Sequence, residues 1–429
     1  MSTDFHDGMI VPAKKVHGRY PLIATSLGHF LNDGMVFLVP VIIDLIAATH
    51  DINPTLITTA LVLFYVTTAI SANLFGRLID RRHLQSWGMI IGIVILSIGM
   101  LFFALALDHV FVSTFVIISS MVTGFGASFY HPTGTAILQS YYKGNKLGRY
   151  LGVNGSAGSL GRAMYPSLLI LVSILLVSNS SSAAFFGTLG VVISIVMLLF
   201  MRNYIAEERN ARSDPRKETN RSIKSNESTS TRKSTITAGI ILLAIVSLVR
   251  NLAFFGIVSW IPEYFTFVRG LGASIGLGTM MTLMFSGGIV GQLLFGLLVE
   301  RYNKKMILIL TTVFSVLFMF VYLFTTGIIS IFALALFGFF NFSGFPIFMS
   351  MISDYVPRGS TTVSNAIVWN LGGTAGQAIA PLIIGIYIAG KYSRLPIAFE
   401  TMLILGLLSV LIIFALPRPP KVSKAPLFS

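Results

Sequence analysis

The 429-residue chain contains no cysteine. That excludes disulfides, thiolate metal sites and a cysteine nucleophile, and it assigns no compartment. Charge is scarce too: charged residues make up 11% of the chain, against about 25% in soluble domains. No Gly-x-x-x-x-Gly-Lys-Ser/Thr loop occurs, so ATP-driven transport is not indicated. His, Asp and Glu show no metal-ligand spacing, and no Ser–His–Asp arrangement can be read. No cofactor, metal or catalysis is therefore expected. The glycines of 152–161 lack a strand–turn–helix setting and mean packing rather than phosphate binding. The chain is polar up to Tyr20, with no short signal-type segment before the first apolar run, which is expected to be retained.

What is abundant is apolar sequence, 54% of the residues. It falls in twelve runs: 21–48, 54–79, 86–107, 110–140, 148–177, 183–201, 237–268, 275–299, 305–326, 328–353, 361–389 and 395–416. A spanning helix needs about 20 mainly apolar residues. Lipid admits only helices or closed barrels, and continuous runs this long are helices rather than alternating barrel strands.

The net charge of +14 is explained by topology rather than by nucleic acid. Twenty-five of the 30 Lys and Arg fall on one side when both ends share it. They lie in the first tail (Lys14, Lys15, Arg19), the 2–3 and 4–5 connections, the central stretch, the 8–9 and 10–11 connections, and the last tail. Only Arg269, Lys391 and Arg394 fall on the other side, while Arg162 and Arg250 lie inside runs. The positive-inside rule then predicts a cell-membrane protein with both termini cytoplasmic. The expected organisation is a tail at 1–20, a bundle at 21–202, a linker at 203–235, a second bundle at 236–416 and a tail at 417–429. The linker is Ser-rich and polar and cannot bury apolar surface. Its basic residues suit a solvated loop or contact with anionic lipid.

The two bundles share landmarks at nearly constant offsets. Gly34 and Pro40 match Gly256 and Pro262 at one common offset. Gly76, Asp80 and Arg81 match Gly296, Glu300 and Arg301, again with a single offset for all three. Gly124 and Pro132 match Gly338 and Pro346 in the same way, and Gly158, Gly161 and Pro166 match Gly373, Gly376 and Pro381. Four matched helix pairs in one order mark an internal repeat. Such halves are related about an axis along the membrane normal, with substrate sites near the midplane between them.

The stretch Gly76-Arg77-Leu78-Ile79-Asp80-Arg81-Arg82 resembles the signature loop between helices 2 and 3 of the major facilitator superfamily, and Gly296 to Lys305 stands where that family has its second copy. With twelve runs and a central loop, the resemblance covers nearly the whole chain. It implies an all-α membrane protein of twelve transmembrane helices in two pseudo-symmetric six-helix bundles, working by alternating access. It also implies that Gly76, Asp80, Arg81, Gly296, Glu300 and Arg301 form a latch stabilising the outward-facing state. Ser26 to Asp33 and Gly124 to Pro132 look like the fosmidomycin-resistance branch. The chain departs from antiporters with a Gly-Pro motif in helix 5, since Arg162 follows Gly161 and Pro166 comes later.

Ionisable residues inside membrane helices are functional candidates, because each costs about 2.5–3.5 kcal/mol on insertion scales. His29 and Asp33 lie one turn apart on one face of the first helix, with Asn32 beside them, and suit proton coupling. Arg162 and Arg250 offer planar forks for a carboxylate or phosphate. Asp33 can satisfy only one of them, and Glu263 is the other acid within reach. His131, Tyr130, Asn154, Asn251, Trp369, Asn370 and Gln377 complete the candidate substrate contacts. Asn251 is the repeat counterpart of His29 and Gln377 that of Arg162, so polarity recurs while charge does not. The expected function is a secondary carrier, acting as a monomer and moving a small organic anion, with protons as co-substrate. Drug efflux is the alternative within transport. A membrane sensor or lipid-handling protein is the alternative outside it.

Overall fold

The computed structural model describes residues 19–82, 84–108, 111–142, 145–212, 237–272, 274–355, 364 and 367–417. The first half comprises α1 (Tyr20–His50), α2 (Pro54–Arg82), α3 (Gln85–Asp108), α4 (Val112–Tyr141), α5 (Asn145–Leu176) and α6 (Asn179–Arg212). The second comprises α7 (Ala238–Glu263) with a π-helical turn (Tyr264–Val268), α8 (Ile275–Arg301), α9 (Lys304–Phe324), α10 (Gly327–Asn341) and α11 (Gly344–Tyr355). A π-helical stretch (Ile367–Thr374), α12 (Ala375–Ile388), a 3₁₀ turn (Tyr392–Arg394) and α13 (Leu395–Ala415) follow. Eleven described helices are long and apolar enough to cross a membrane, and Gly372–Ile388 is a shorter apolar one.

Several elements differ from the apolar runs in extent or in helix type, and three show why. α6 continues past Met201 because its polar extension binds neighbouring helices. The Glu208 carboxylate accepts from the Ser86 amide and hydroxyl at the start of α3, both at 2.9 Å, and the Tyr141 hydroxyl donates to Glu207. The tenth run breaks into α10 and α11 at Phe342 and Ser343, just ahead of Pro346; a helical proline clashes with the carbonyl four residues back. The seventh run ends in a π turn just after Pro262. Residues 213–236, which hold most of the expected linker, lie outside the described residues.

Lipid is as apolar as leucine, so these helices are held by close packing rather than by hydrophobic exclusion. The packing repeats with the sequence. A side chain at Gly161 would meet the Phe30 carbonyl at 2.2 Å, and one at its counterpart Gly376 would meet the Leu252 amide at 3.2 Å and the Leu248 carbonyl at 2.9 Å. Phe30 and Leu252 are themselves related by the offset that takes Gly34 to Gly256. Gly124 presses on the Phe64 carbonyl, and Gly338 on the carbonyl of Met284, the residue that the Gly76–Gly296 offset pairs with Phe64. Gly76 faces Pro132 as Gly296 faces Pro346.

Because successive long helices alternate in direction, Arg19 before α1, Arg82 at the end of α2, Arg202 toward the end of α6, Arg301 at the end of α8 and Lys304 and Lys305 at the start of α9 fall toward one face, the basic face. Among the described residues, the hydrogen bonds that join the halves lie from mid-depth to the opposite face. Ser159 donates to Gln292 (3.3 Å), Thr282 donates to the Ala163 carbonyl (2.6 Å), and Thr266 donates to Asp44 (2.6 Å). The Ser167 and Thr282 hydroxyls meet at 2.7 Å, and the Tyr392 hydroxyl reaches the Ile52 carbonyl at 3.3 Å. Toward the basic face, Gly152 and Gly155 have nothing within 4 Å. Among the described residues, the halves are therefore joined at the opposite face.

Candidate functional site

Asp33 is the centre of the site. It lies near the middle of the 31-residue α1, about 20 Å from its start at a rise of about 1.5 Å per residue, and is 5% exposed. One carboxylate oxygen is 3.3 Å from His29 Nε2 and 3.7 Å from Arg162 Nε. The other is 3.4 Å from His131 Nε2 and accepts from Asn32 Nδ2 at 3.1 Å. Three helices thus converge on one acid: α1 supplies His29 and Asn32, α4 supplies His131, and α5 supplies Arg162.

Glycine makes the convergence possible. A side chain at Gly158 would lie 2.4 Å from the His29 ring, and one at Gly161 would strike α1 backbone. With neither present, α5 closes onto α1 and carries Arg162 to Asp33. The guanidinium also donates to Ser159 Oγ at 2.7 Å and lies 5.5 Å from the Phe37 ring centroid and 6.0 Å from that of Phe342. Ser159 in turn donates to Gln292 and Phe342 belongs to the second half, so the arginine sits at the junction of the halves.

A hydrogen-bonded chain fixes which His29 nitrogen carries its proton. The Thr25 backbone carbonyl can only accept. Tyr130 Oη donates to it at 2.7 Å, and Asn154 Nδ2 donates to Tyr130 Oη at 3.0 Å. In the orientation the structure gives Asn154, Oδ1 lies 3.0 Å from His29 Nδ1 and 3.3 Å from Tyr130 Oη, and since an amide oxygen only accepts, Nδ1 is the donor in that arrangement. A neutral His29 would then turn the Nε2 lone pair toward a carboxylate oxygen 3.3 Å away. The contact is attractive only when one further proton resides on the His29–Asp33 pair.

His29, Asp33 and His131 also offer three ligand atoms within 4.8 Å of one another. Sequence spacing could not show this grouping, because His131 arrives from a separate helix. A divalent ion fits poorly all the same, because Arg162 places a permanent positive charge against the same carboxylate.

Arg250 lies apart, in the second half, and is 5% exposed. It donates to the Asn341 carbonyl at 2.8 Å and sits 5.1 Å from the Phe254 ring centroid; no salt bridge holds it among the described residues. Glu263 does not pair with it. Gln377 donates to Asn251 at 3.4 Å, linking the second-half helices that correspond to α1 and α5. Trp369 and Asn370 fall in the π-helical stretch, with side chains outside the described residues. The same holds for the side chains of Asp80, Arg81 and Glu300 in the expected latch, while Arg301 ends α8 exposed. Beside it, Lys304 bonds Asp354 at 2.7 Å and the Ser350 carbonyl at 2.9 Å, a contact that no sequence signal announced.

The family model of the Major Facilitator Superfamily matches residues 25–376 and, overlapping, 274–429. The chain belongs to the major facilitator superfamily. This superfamily transporter is 22% identical over 402 residues to the uncharacterised MFS-type transporter YfnC of Bacillus subtilis (strain 168), covering 92% of this chain and 93% of that one. It is 21% identical over 314 residues to the protein TsgA homolog of Buchnera aphidicola subsp. Schizaphis graminum (strain Sg), covering 72% and 75%. Its fold matches the crystal structure of a bacterial homolog of the human lysosomal transporter Spinster, inward-facing and occupied. The TM-score is 0.73 at 13% identity, covering 96% of this chain and 100% of that one. The unoccupied inward-facing form of that protein gives 0.68 at 12% identity, covering 94% and 98%.

Proposed function

We propose that this transporter carries a small organic anion together with a proton, by alternating access, in the cell membrane and as a monomer. Both termini and the basic face are cytoplasmic in this reading, so the halves are joined on the outer side. The observation that carries the proposal is the Asp33 carboxylate held by His29, His131 and Arg162.

The coupling follows from charge. Asp33 and Arg162 with neutral histidines sum to zero. A proton taken up on the cluster leaves one positive charge in a low-dielectric site, which is unfavourable alone. An anion on the arginine restores neutrality, so each ligand improves binding of the other, as linkage requires. Protonation also weakens the hold of Asp33 on Arg162 and frees the fork for a carboxylate or phosphate. Arg250 supplies a second positive charge from the facing half, and Asn251, Gln377, Trp369 and Asn370 supply asymmetric polar contacts. The neutral loaded carrier reorients. In the other state, the loops at Gly76–Arg81 and Gly296–Arg301 close the cytoplasmic side.

Proteoliposome uptake tests this directly, with a panel of mono- and dicarboxylates and organophosphates assayed with and without an inward proton gradient. At least one anion is expected to accumulate with the gradient, and both Arg162→Ala and Arg250→Ala should abolish its uptake. Transport of a neutral or cationic solute that both variants sustain would overturn the anion reading.

A further inference from the structure

A second pair of acids lies outside the site at Asp33, and the anion reading makes no use of it. Asp44 on α1 and Glu263 at the end of α7 are both 0% exposed. Thr266 Oγ1 donates to one Asp44 oxygen at 2.6 Å. The other Asp44 oxygen and both Glu263 oxygens have no hydrogen-bond partner among the described residues. Glu263 lies one turn before Thr266 on the same helix, so its carboxyl is carried to the seam where Thr266 meets Asp44.

Among the described residues, no cation answers them. Arg269, the base nearest in sequence to Glu263, is spent on the Tyr264 hydroxyl and the carbonyls of Tyr322, Leu323 and Thr325. Tyr65 of α2 lies within electrostatic reach of Glu263, and Tyr392 of the 3₁₀ turn within reach of both acids and Asp51; neither supplies positive charge. Two buried carboxylates with no counter-charge repel each other and each forfeits its hydration. The buried arrangement is therefore stable only with a proton on the pair.

Their placement gives that proton a purpose. Asp44 and Thr266 are separated by the same offset that relates Gly34 to Gly256 and Pro40 to Pro262. They are equivalent positions of the two repeats and meet where the halves touch at the opposite face. The π turn at Tyr264–Val268 carries Thr266 to that contact; such turns are frequent at functional sites. Below it, Phe37 and Tyr65 of the first half pack on Phe255 of the second. The acids thus sit inside the seam that must part for the opposite face to open.

We propose that the buried Asp44 and Glu263 retain a proton at this seam, that the bound proton holds the opposite-face gate shut, and that its loss drives the gate open by carboxylate repulsion. The inference rests on alternating access and not on the substrate or coupling role of Asp33.

The absence of native cysteine allows a single-cysteine reporter. Thr58 is 8% exposed and packs against Gly385 of the other half, so Thr58→Cys is hidden while the seam is closed. A membrane-impermeant maleimide is applied to the opposite face of full-length protein in proteoliposomes, and labelling rates are compared at pH 5.5 and pH 8.5 after correction for intrinsic thiol reactivity. The expected corrected rate rises at least about tenfold at the higher pH. In Asp44→Asn/Glu263→Gln the seam stays closed and the rise vanishes. Thr266→Val, which keeps both acids, retains the rise even if the double variant folds poorly. In an Asp33→Asn background the rise persists, which separates this gate from the coupling site. Equal rates at both pH values in the parent, an undiminished rise in the double variant, or control of labelling by sodium at fixed pH would each overturn the proposal.

Discussion

Replacing Asn154 with leucine removes both hydrogen bonds that orient His29. Asn154 Oδ1 accepts from His29 at 3.0 Å, and its Nδ2 donates to Tyr130 at 3.0 Å. Hydrogen bonds between membrane helices average about 0.6 kcal/mol and reach about 1.7, so the loss lies between about 1.2 and about 3.4 kcal/mol. The sign follows from the tautomer. With Asn154 present, an unprotonated cluster sets a lone pair against a carboxylate, which favours proton uptake relative to a cluster without Asn154. With leucine, neutral His29 is free to carry its proton on Nε2 and donate to Asp33 directly. The unprotonated cluster gains stability and more acid is needed to load it. Only the part that differs between the protonated and unprotonated cluster moves the profile; one hydrogen bond of about 0.6–1.7 kcal/mol, at about 1.36 kcal/mol per pH unit, should lower the pH of half-maximal uptake by about 0.5 to 1 unit. Proton-driven uptake of the transported anion into proteoliposomes across external pH measures it, with thermal unfolding in detergent confirming a folded variant. Tyr130→Phe spares the His29–Asn154 bond and should shift the profile less. An unchanged profile, or one displaced to higher pH in Asn154→Leu, would refute the hydrogen-bonded chain as the source of proton affinity.

Gly161→Ala drives a methyl into the Phe30 carbonyl at 2.2 Å and should cost about 1–3 kcal/mol as overpacking, whereas Gly152→Ala meets open space and should gain about 0.5–1 kcal/mol as a helix former; paired melting curves in detergent check both. Gly344→Ala places its methyl 2.5 Å from an Arg250 nitrogen, the far end of a flexible side chain. It should therefore raise the half-saturating anion concentration about tenfold while leaving the melting temperature nearly unchanged, and uptake kinetics beside a melting curve test this.

How much of this was readable in advance depended on how local each signal was. Membrane spans announce themselves through apolar runs and basic loops, so the order and near-boundaries of the helices were legible. So was the repeat, because Gly161 and Gly376 serve equivalent close approaches to backbone. His29 and Asp33 were legible as a pair because one helix turn fixes their spacing. That Arg162, and not Arg250, meets Asp33 was not, since it depends on how α5 seats against α1 through Gly158 and Gly161. His131 was a candidate, but its place at the same carboxylate depends on α4 and has no local spacing rule. Glu263 was noticed as an acid within reach of an arginine, yet it lies with Asp44, which no helical periodicity connects to it. The helical extension of α6 to Arg212 escaped the apolar pattern because charged residues on that segment cap and bond α3 and α4.

Coupling through Asp33 is the central claim, and one comparison tests it most directly. Asp33→Asn and parent protein are reconstituted side by side, and two activities are read from each: accumulation of the transported anion driven by an inward proton gradient, and counterflow exchange with no gradient. The account predicts that Asp33→Asn loses accumulation while retaining exchange, because the site then binds and reorients without a proton to carry. Accumulation at the parent level in Asp33→Asn would contradict it.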